Sequence, residues 1–211
     1  MTDARCFDLI ETMAFDPHGG IARLDRHLER LLRSAEALGF AFDRHEARNE
    51  LQAATFRAGP SLVRLLLSRS GALAIEMRPL PAAPVEPIAV AVVPLPVARK
   101  DMKLRHQTSD RGFYDGARAA AGTFEVLFRD PEGFLTEGSF TSLFVERNGA
   151  LLTPPLARGL LPGVLRAELI DSGKAREEDL TEADLAGGFL IGSSARGLIR
   201  ATLSAGSGPN L

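Results

Sequence analysis

The stretch RLDRHLERLLRSAEAL, Arg23 to Leu38, limits what this chain can become more than any other part of it. Leu24, Leu28, Leu31, Ala35 and Leu38 recur at helical spacing and line up as one apolar stripe, and Gly39 supplies the stop. A helix that is apolar on one side only must cover another layer. The neighbouring sequence offers that layer. CFDLIETMAF reads as a strand ahead of the turn DPHGG, and SLVRLLLS, ALAIEMR and IAVAVVPL read as three strands after it. A second helix is predicted over RHEARNELQAATFRAG, and the Pro-rich PLPAAPVEP is a loop.

The pattern changes around PVARKDM, which places a boundary between a domain of residues 1–100 and one of residues 101–211. The second part reads as a short helix near YDGARAA, strands at TFEVLFR and SFTSLFVER, a turn at NGA, then LLTPP. A helix opens at PGVLRAELI, and GFLIGSSA and GLIRATL close the series before a tail, residues 204–211, expected to be disordered. Strands and helices do not alternate one for one. The fold class is therefore mixed α/β (α+β) in two small domains, not a doubly wound sheet.

Composition narrows the partners. The net charge of −2 gives no reason to expect nucleic acid or an anionic membrane. No apolar run reaches the roughly 18 residues of a membrane span, and the N-terminus lacks the charged-then-apolar pattern of a secretory signal. Cys6 is the only cysteine, which fits a reducing cytoplasm. His18, His27, His45 and His106 lack metal-ligand spacing, so no metal site is expected. The only lysines are Lys100, Lys103 and Lys174.

Four segments in order, IETM…LDRHLERLLRSA, LRHQTSDRGFYD, LFRDPEGFLTEGSFTSLF and LLTPPLARGLLPGVLRAELI, resemble the class IV aminotransferases, the fold-type IV pyridoxal 5′-phosphate (PLP) enzymes. That family includes branched-chain and D-amino-acid aminotransferases and aminodeoxychorismate lyase, and the HxT run before R..YD is most similar to the lyase-like members. The resemblance implies a D-amino-acid aminotransferase-like fold with PLP in a cleft between two domains, usually as a homodimer. It implies a small amino acid or an aminodeoxychorismate-like molecule as substrate. Residue by residue, Arg30 matches the arginine that binds the cofactor phosphate, a task suited to a planar, permanently charged fork. Gly163 with the amides of Val164 and Leu165 matches the phosphate cradle at a helix N-terminus. Ser193 and Ser194 match the group that completes it, and Glu137 matches the carboxylate that pairs with the pyridine nitrogen. Arg111 and Tyr114 are candidates for positioning substrate. His27 is read as holding its helix in place, and Glu132 as a solvated turn residue. Where the family commonly has Asn, this chain has Ser142.

One position departs sharply. The Schiff-base lysine of the family falls at Gln107, and a carboxamide is neither nucleophilic nor basic near neutral pH. Lys103 lies four residues earlier, roughly 13 Å away if the segment is an extended strand at about 3.3 Å per residue. Two readings stay open. The chain is either a lyase or aminotransferase relative with impaired activity, its PLP noncovalent or absent, or a non-catalytic cofactor-binding or protein-binding member of the family. A second departure from the family is the short lead into IETM, from which the first domain is expected either to lack an edge strand or to leave an edge for a partner to cover.

Overall fold

The computed structural model describes residues 7–204; Cys6 and residues 205–211 of the expected tail lie outside the described residues. The chain divides into two compact units. One holds the residues up to Ala82 together with His106–Asp110, and the other holds Ala83–Arg105 and everything from Arg111 onward.

The first unit is an antiparallel sheet covered on one side by helices. Its strands are β1 (Leu9–Asp16), β2 (Gly20–Ile21), β3 (Ser61–Leu67) and β4 (Leu73–Pro79), in the spatial order β2-β1-β3-β4. Helix α1 (Leu24–Leu38) lays Leu28, Leu31 and Ala35 onto Leu9, Met13 and Phe15 of β1 and Val63, Leu65 and Leu67 of β3. The period-2 alternation of the strands and the helical stripe thus meet in one core. Gly39 ends α1 in the left-handed conformation (φ 70°), which a glycine adopts without strain. Helix α2 (Arg44–Thr55) starts where the Asp43 carboxylate accepts from the His45 and Glu46 amides, and it adds Ala47 and Leu51 to the same core. Part of the outer edge of β1 is covered by the chain itself. The Ile10 amide donates to the Gln107 carbonyl (2.9 Å) and the Ser109 amide to that of Asp8 (2.8 Å).

The second unit is an eight-stranded mixed sheet in the order β10-β9-β8-β11-β12-β5-β6-β7. Its strands are β5 (Ile88–Pro94), β6 (Glu125–Arg129), β7 (Leu135–Gly138), β8 (Ser142–Arg147), β9 (Ala150–Thr153), β10 (Ala175–Glu177), β11 (Phe189–Ser193) and β12 (Gly197–Leu203). Ile88, Val90, Leu127, Leu143, Ile191 and Ile199 belong to the largest apolar cluster. Helix α3 (Gly112–Ala121) sets Tyr114 against Val126 and Phe128 of β6, and helix α4 (Val164–Asp171) sets Leu165 and Leu169 against Phe144 of β8.

Three sequence expectations change. The division is not at residue 100: β5 lies between β12 and β6, parallel to both, and so joins the second unit, while residues 106–110 return to pair with β1. Lys103 sits in a 3₁₀ turn (Met102–Leu104) begun by the Asp101 carboxylate, not in a strand, so the extended-chain distance to residue 107 does not apply. The short strands β2, β7 and β10 were not anticipated at all.

Candidate cofactor site

In the first unit the functional candidates gather around a buried carboxylate. Glu11 stands on the face of β1 that carries Leu9, Met13 and Phe15, a face given over to the apolar core, and it is 1% exposed. A charge there needs partners. Helix α1 supplies them one turn apart: His27 Nδ1 is 2.6 Å from Oε2, and Arg30 donates from Nε to Oε1 (2.8 Å) and from Nη2 to Oε2 (2.6 Å). Burial pushes the Glu11 carboxyl upward. The Arg30 cation, with hydrogen bonds from His27 and Arg30, outweighs that and holds it below the ordinary carboxylate value. Arg30 Nη2 also donates to Gln107 Oε1 at 2.7 Å. Gln107 is therefore in direct contact with the matched phosphate-binding arginine. His106 Nδ1 lies 3.0 Å from the Ser34 hydroxyl, the last member of the polar line His27, Arg30, Ser34 along α1.

In the second unit the candidates converge on a different carboxylate. Glu137, on β7 and 5% exposed, accepts from the Tyr114 hydroxyl at Oε1 (2.7 Å) and from the Leu161 amide at Oε2 (3.0 Å). Burial raises its pKa to about 7, against the hydrogen bonds from Tyr114 and Leu161 and the charge of Arg111. Two residues beyond Leu161, Gly163 opens α4 without any side-chain cap. The first-turn amides of a helix, here those of Val164 and Leu165, have no acceptor within the helix itself. A Cβ on Gly163 would lie 2.5 Å from the Ser142 hydroxyl oxygen, so only glycine leaves both groups undisturbed. Ser142 is the register partner of Gly192 on β11, and a Cβ on Gly192 would meet a Leu165 methyl at 2.9 Å. Ser193 ends β11 beside this contact, and Ser194 follows, buried, in the turn. Glu137, the start of α4 and the end of β11 thus form one continuous patch of the second unit.

Tyr114, a candidate from the sequence for positioning substrate or equally for packing, is buried, packs at 5.6 Å against the Phe128 ring and donates its hydroxyl to Glu137, which makes it a support for that carboxylate. The Arg111 guanidinium lies 4.6 Å over the Tyr114 ring and donates to the Ser139 carbonyl. The sequence reading gives no role to three buried carboxylates, Glu11, Glu125 and Asp130. The available signal for Glu11 is its place among the alternating apolar residues of IETM and its neighbours. Glu125, fully buried in TFEVLFR, accepts from the Ser139 hydroxyl and amide, the Phe140 amide and the Thr141 hydroxyl. It thereby fixes the turn directly after Glu137.

The donor set suits a phosphorylated pyridine in one respect and not in another. A buried carboxylate facing only partial compensation, near an uncapped helix start, fits a cationic ring nitrogen and a phosphate. Gln107 offers no amine for a covalent link. Among the described residues no group of three or more His, Cys, Asp or Glu could hold a metal ion, and no helix is long and apolar enough to cross a membrane.

Comparison with known proteins places this geometry in a family. The family model for amino-transferase class IV matches residues 8–203. A Schizosaccharomyces pombe protein provisionally named an aminodeoxychorismate lyase is 27% identical over 179 residues, covering 82% of this chain and 77% of its own. A crystal structure of a Mesorhizobium loti protein, provisionally described as an amino-acid aminotransferase, superposes with a TM-score of 0.85 at 37% identity over 94% of this chain and 100% of that one. A hypothetical aminotransferase from Mycobacterium tuberculosis, in its PLP-bound form, shares the fold at 23% identity, TM-score 0.82, over 93% of this chain and 81% of that one. The architecture is the fold-type IV, D-amino-acid aminotransferase-like one, and with nearly its whole length matched the chain belongs to the class IV amino-transferase family.

Proposed function

We propose that this chain is an aminodeoxychorismate lyase-like or small-amino-acid aminotransferase-like protein that binds PLP noncovalently and has lost most of its turnover. The observation that carries the reading is Glu137, a buried carboxylate poised near neutrality whose hydrogen-bond donors among the described residues are the neutral Tyr114 hydroxyl and Leu161 amide. When bound, PLP supplies an electron sink for negative charge developing at a substrate α-carbon. Glu137 would hold the ring-nitrogen proton, and a cation there would draw the carboxyl back toward its ionised form. The amides of Val164 and Leu165, with Ser193 and Ser194, would take phosphate oxygens, and Arg30 is the family's further phosphate ligand. Gln107 can donate and accept hydrogen bonds but cannot take a proton from carbon. Loss of a general base alone costs about 10²–10⁴-fold. The family's homodimer and a cytoplasmic location are carried as parts of the same proposal.

The test is intact mass after incubation with PLP and borohydride, beside equilibrium dialysis of PLP. The unmodified protein should bind PLP yet gain no covalent mass, and Gln107→Lys should gain one cofactor equivalent together with measurable pyruvate release or amino transfer. Stoichiometric covalent capture by the unmodified chain, lost on Lys103→Ala, would assign the anchor to Lys103 and overturn the noncovalent reading. Absence of binding by both proteins would favour a role in protein interaction instead.

A further inference from the structure

We infer that Glu125 is a positioning residue for Glu137: it clamps the turn after β7 and, through the Ser139 carbonyl, keeps the Arg111 guanidinium beside the Tyr114–Glu137 pair. All of these residues belong to the second unit. The link from Glu137 to a cofactor rests on the proposed function.

Glu125 opens β6 with no exposed surface, next to the buried Val126, Leu127 and Phe128. Its carboxylate accepts five hydrogen bonds. Oε1 takes the Val126 amide (2.9 Å), the Ser139 amide (2.9 Å) and the Ser139 hydroxyl (2.5 Å), and Oε2 takes the Phe140 amide (3.1 Å) and the Thr141 hydroxyl (2.8 Å). Four of the five come from residues 139–141, so one side chain of β6 holds the whole connection between β7 and β8. The Gly138 amide closes that turn on the Thr141 carbonyl (2.8 Å), and a Cβ on Gly138 would lie 2.8 Å from Glu125 Oε2. Backbone N–H groups point at both carboxylate oxygens, and they cannot turn round to accept. A glutamine would set its NH₂ group against an amide in either orientation.

The clamped turn reaches Glu137 a second way. The Ser139 carbonyl accepts from Arg111, which immediately precedes helix α3. The Arg111 guanidinium lies 4.6 Å over the Tyr114 ring, and the Tyr114 hydroxyl donates to Glu137 (2.7 Å). The charged groups acting on Glu137 are Arg111, which lowers its pKa, and Glu125, which raises it; Arg111 is the stronger of the two. Glu125 therefore has two opposed effects. As a charge it raises the Glu137 midpoint, whereas as a clamp it holds the cation that lowers it.

Carbon-13 NMR of labelled glutamate side chains in the cofactor-free protein tells the two apart by sign. Glu125→Gln should raise the Glu137 midpoint above about 7, because the freed turn releases Arg111. Arg111→Met should also raise it, by about 1 pH unit. With Glu125→Gln already present, Arg111→Met should add less than about half of that, since the two residues act through one path. Glu125→Asp keeps the charge but shortens its reach to the turn, so the midpoint should rise there too, which keeps the test alive if Glu125→Gln fails to fold. A midpoint that falls in Glu125→Gln and stays put in Glu125→Asp would reduce Glu125 to a charge acting through space and overturn the positioning role. Full additivity with Arg111→Met would overturn it as well. In equilibrium dialysis the unmodified protein should retain PLP about tenfold more tightly than its 1-deaza analogue, which lacks the ring nitrogen. Equal retention would overturn the reading of Glu137 as the ring-nitrogen partner and leave the NMR result, obtained without cofactor, to decide the role of Glu125.

Discussion

Glu11 and Glu137 are both carboxylates buried in a sheet, and burial raises the pKa of each. They end on opposite sides of the ordinary value. Glu11 has an arginine fork and an imidazole on its oxygens, so the cation next to it wins and the carboxyl stays ionised. Glu137 has a phenol and a backbone amide on its oxygens, with Arg111 acting on it only through space, and desolvation wins. The charge on Glu11 is neutralised within its own unit and serves as a strut between β1 and α1. The charge on Glu137 is incompletely compensated by the residues that surround it. A structure keeps a carboxylate in that condition at a cost, and a cation arriving from outside would recover it.

The widest split between the two should come from removing each charge. Glu11→Gln removes the negative charge that faces the Arg30 guanidinium and His27 inside the first unit and leaves one acceptor oxygen where there were two, and breaking a buried charge pair in this way costs about 3–5 kcal/mol. Urea unfolding of the variant at pH 7.5 should show a loss of that order, and a loss below about 1 kcal/mol would mean that the network is dispensable. Glu137→Gln should act in the other direction above neutrality. Its carboxyl has a folded pKa of about 7 against 4.5 in the ordinary state, so the stabilisation is full below 4.5 and is lost as pH rises through 7. The loss amounts to roughly 3 kcal/mol at about 1.4 kcal/mol per pKa unit. Glu11 runs the opposite way, with its contribution present above 4.5 and lost as pH falls. Unfolding free energies measured from pH 5 to pH 8 should therefore decline less steeply in Glu137→Gln than in the unmodified protein. Parallel curves would remove the contrast between the two carboxylates.

How much of this contrast was visible in the letters depends on what each residue's environment is made of. Helix α1 was legible because its stripe and its Gly39 stop are local facts, and β3, β5 and β12 were legible because each run is mostly apolar. The unit to which β5 belongs was not, since that depends on parallel pairing with β12 near the other end of the chain. Strand β7 is four residues long, and two of its buried side chains are Thr136 and Glu137, so no apolar pattern marks it. The resemblance to the family pointed to Glu137, Arg30 and Gly163. It could not report that Arg30 is committed to Glu11, that Gly163 must leave space for Ser142, or that Glu125 lies buried beneath the turn after Glu137. A glutamate in a strand reads as solvated until tertiary packing covers it.

Tyr114→Phe offers the smallest and most selective perturbation of the pair. The ring keeps its packing on Phe128 and its place beneath Arg111, so the change removes one hydroxyl and nothing else from the second unit. That hydroxyl donates to Glu137, and a hydrogen bond to a charged group is worth about 1.5–3 kcal/mol, less when the acceptor is neutral. The stability loss should therefore be larger at pH 8, where Glu137 is mostly ionised, than at pH 5.5. The Glu137 midpoint should also climb above its present value of about 7, because Tyr114 is the leading influence holding it down. The groups that remain around it are Arg111 and the Leu161 amide, which lower it, and Glu125, which raises it. Carbon-13 NMR of labelled glutamate side chains reads that midpoint directly, and Glu11 serves as the internal reference that should not move. A midpoint unchanged in Tyr114→Phe would reduce the tyrosine to a packing residue and leave the Leu161 amide and Arg111 as the influences that hold the Glu137 pKa down.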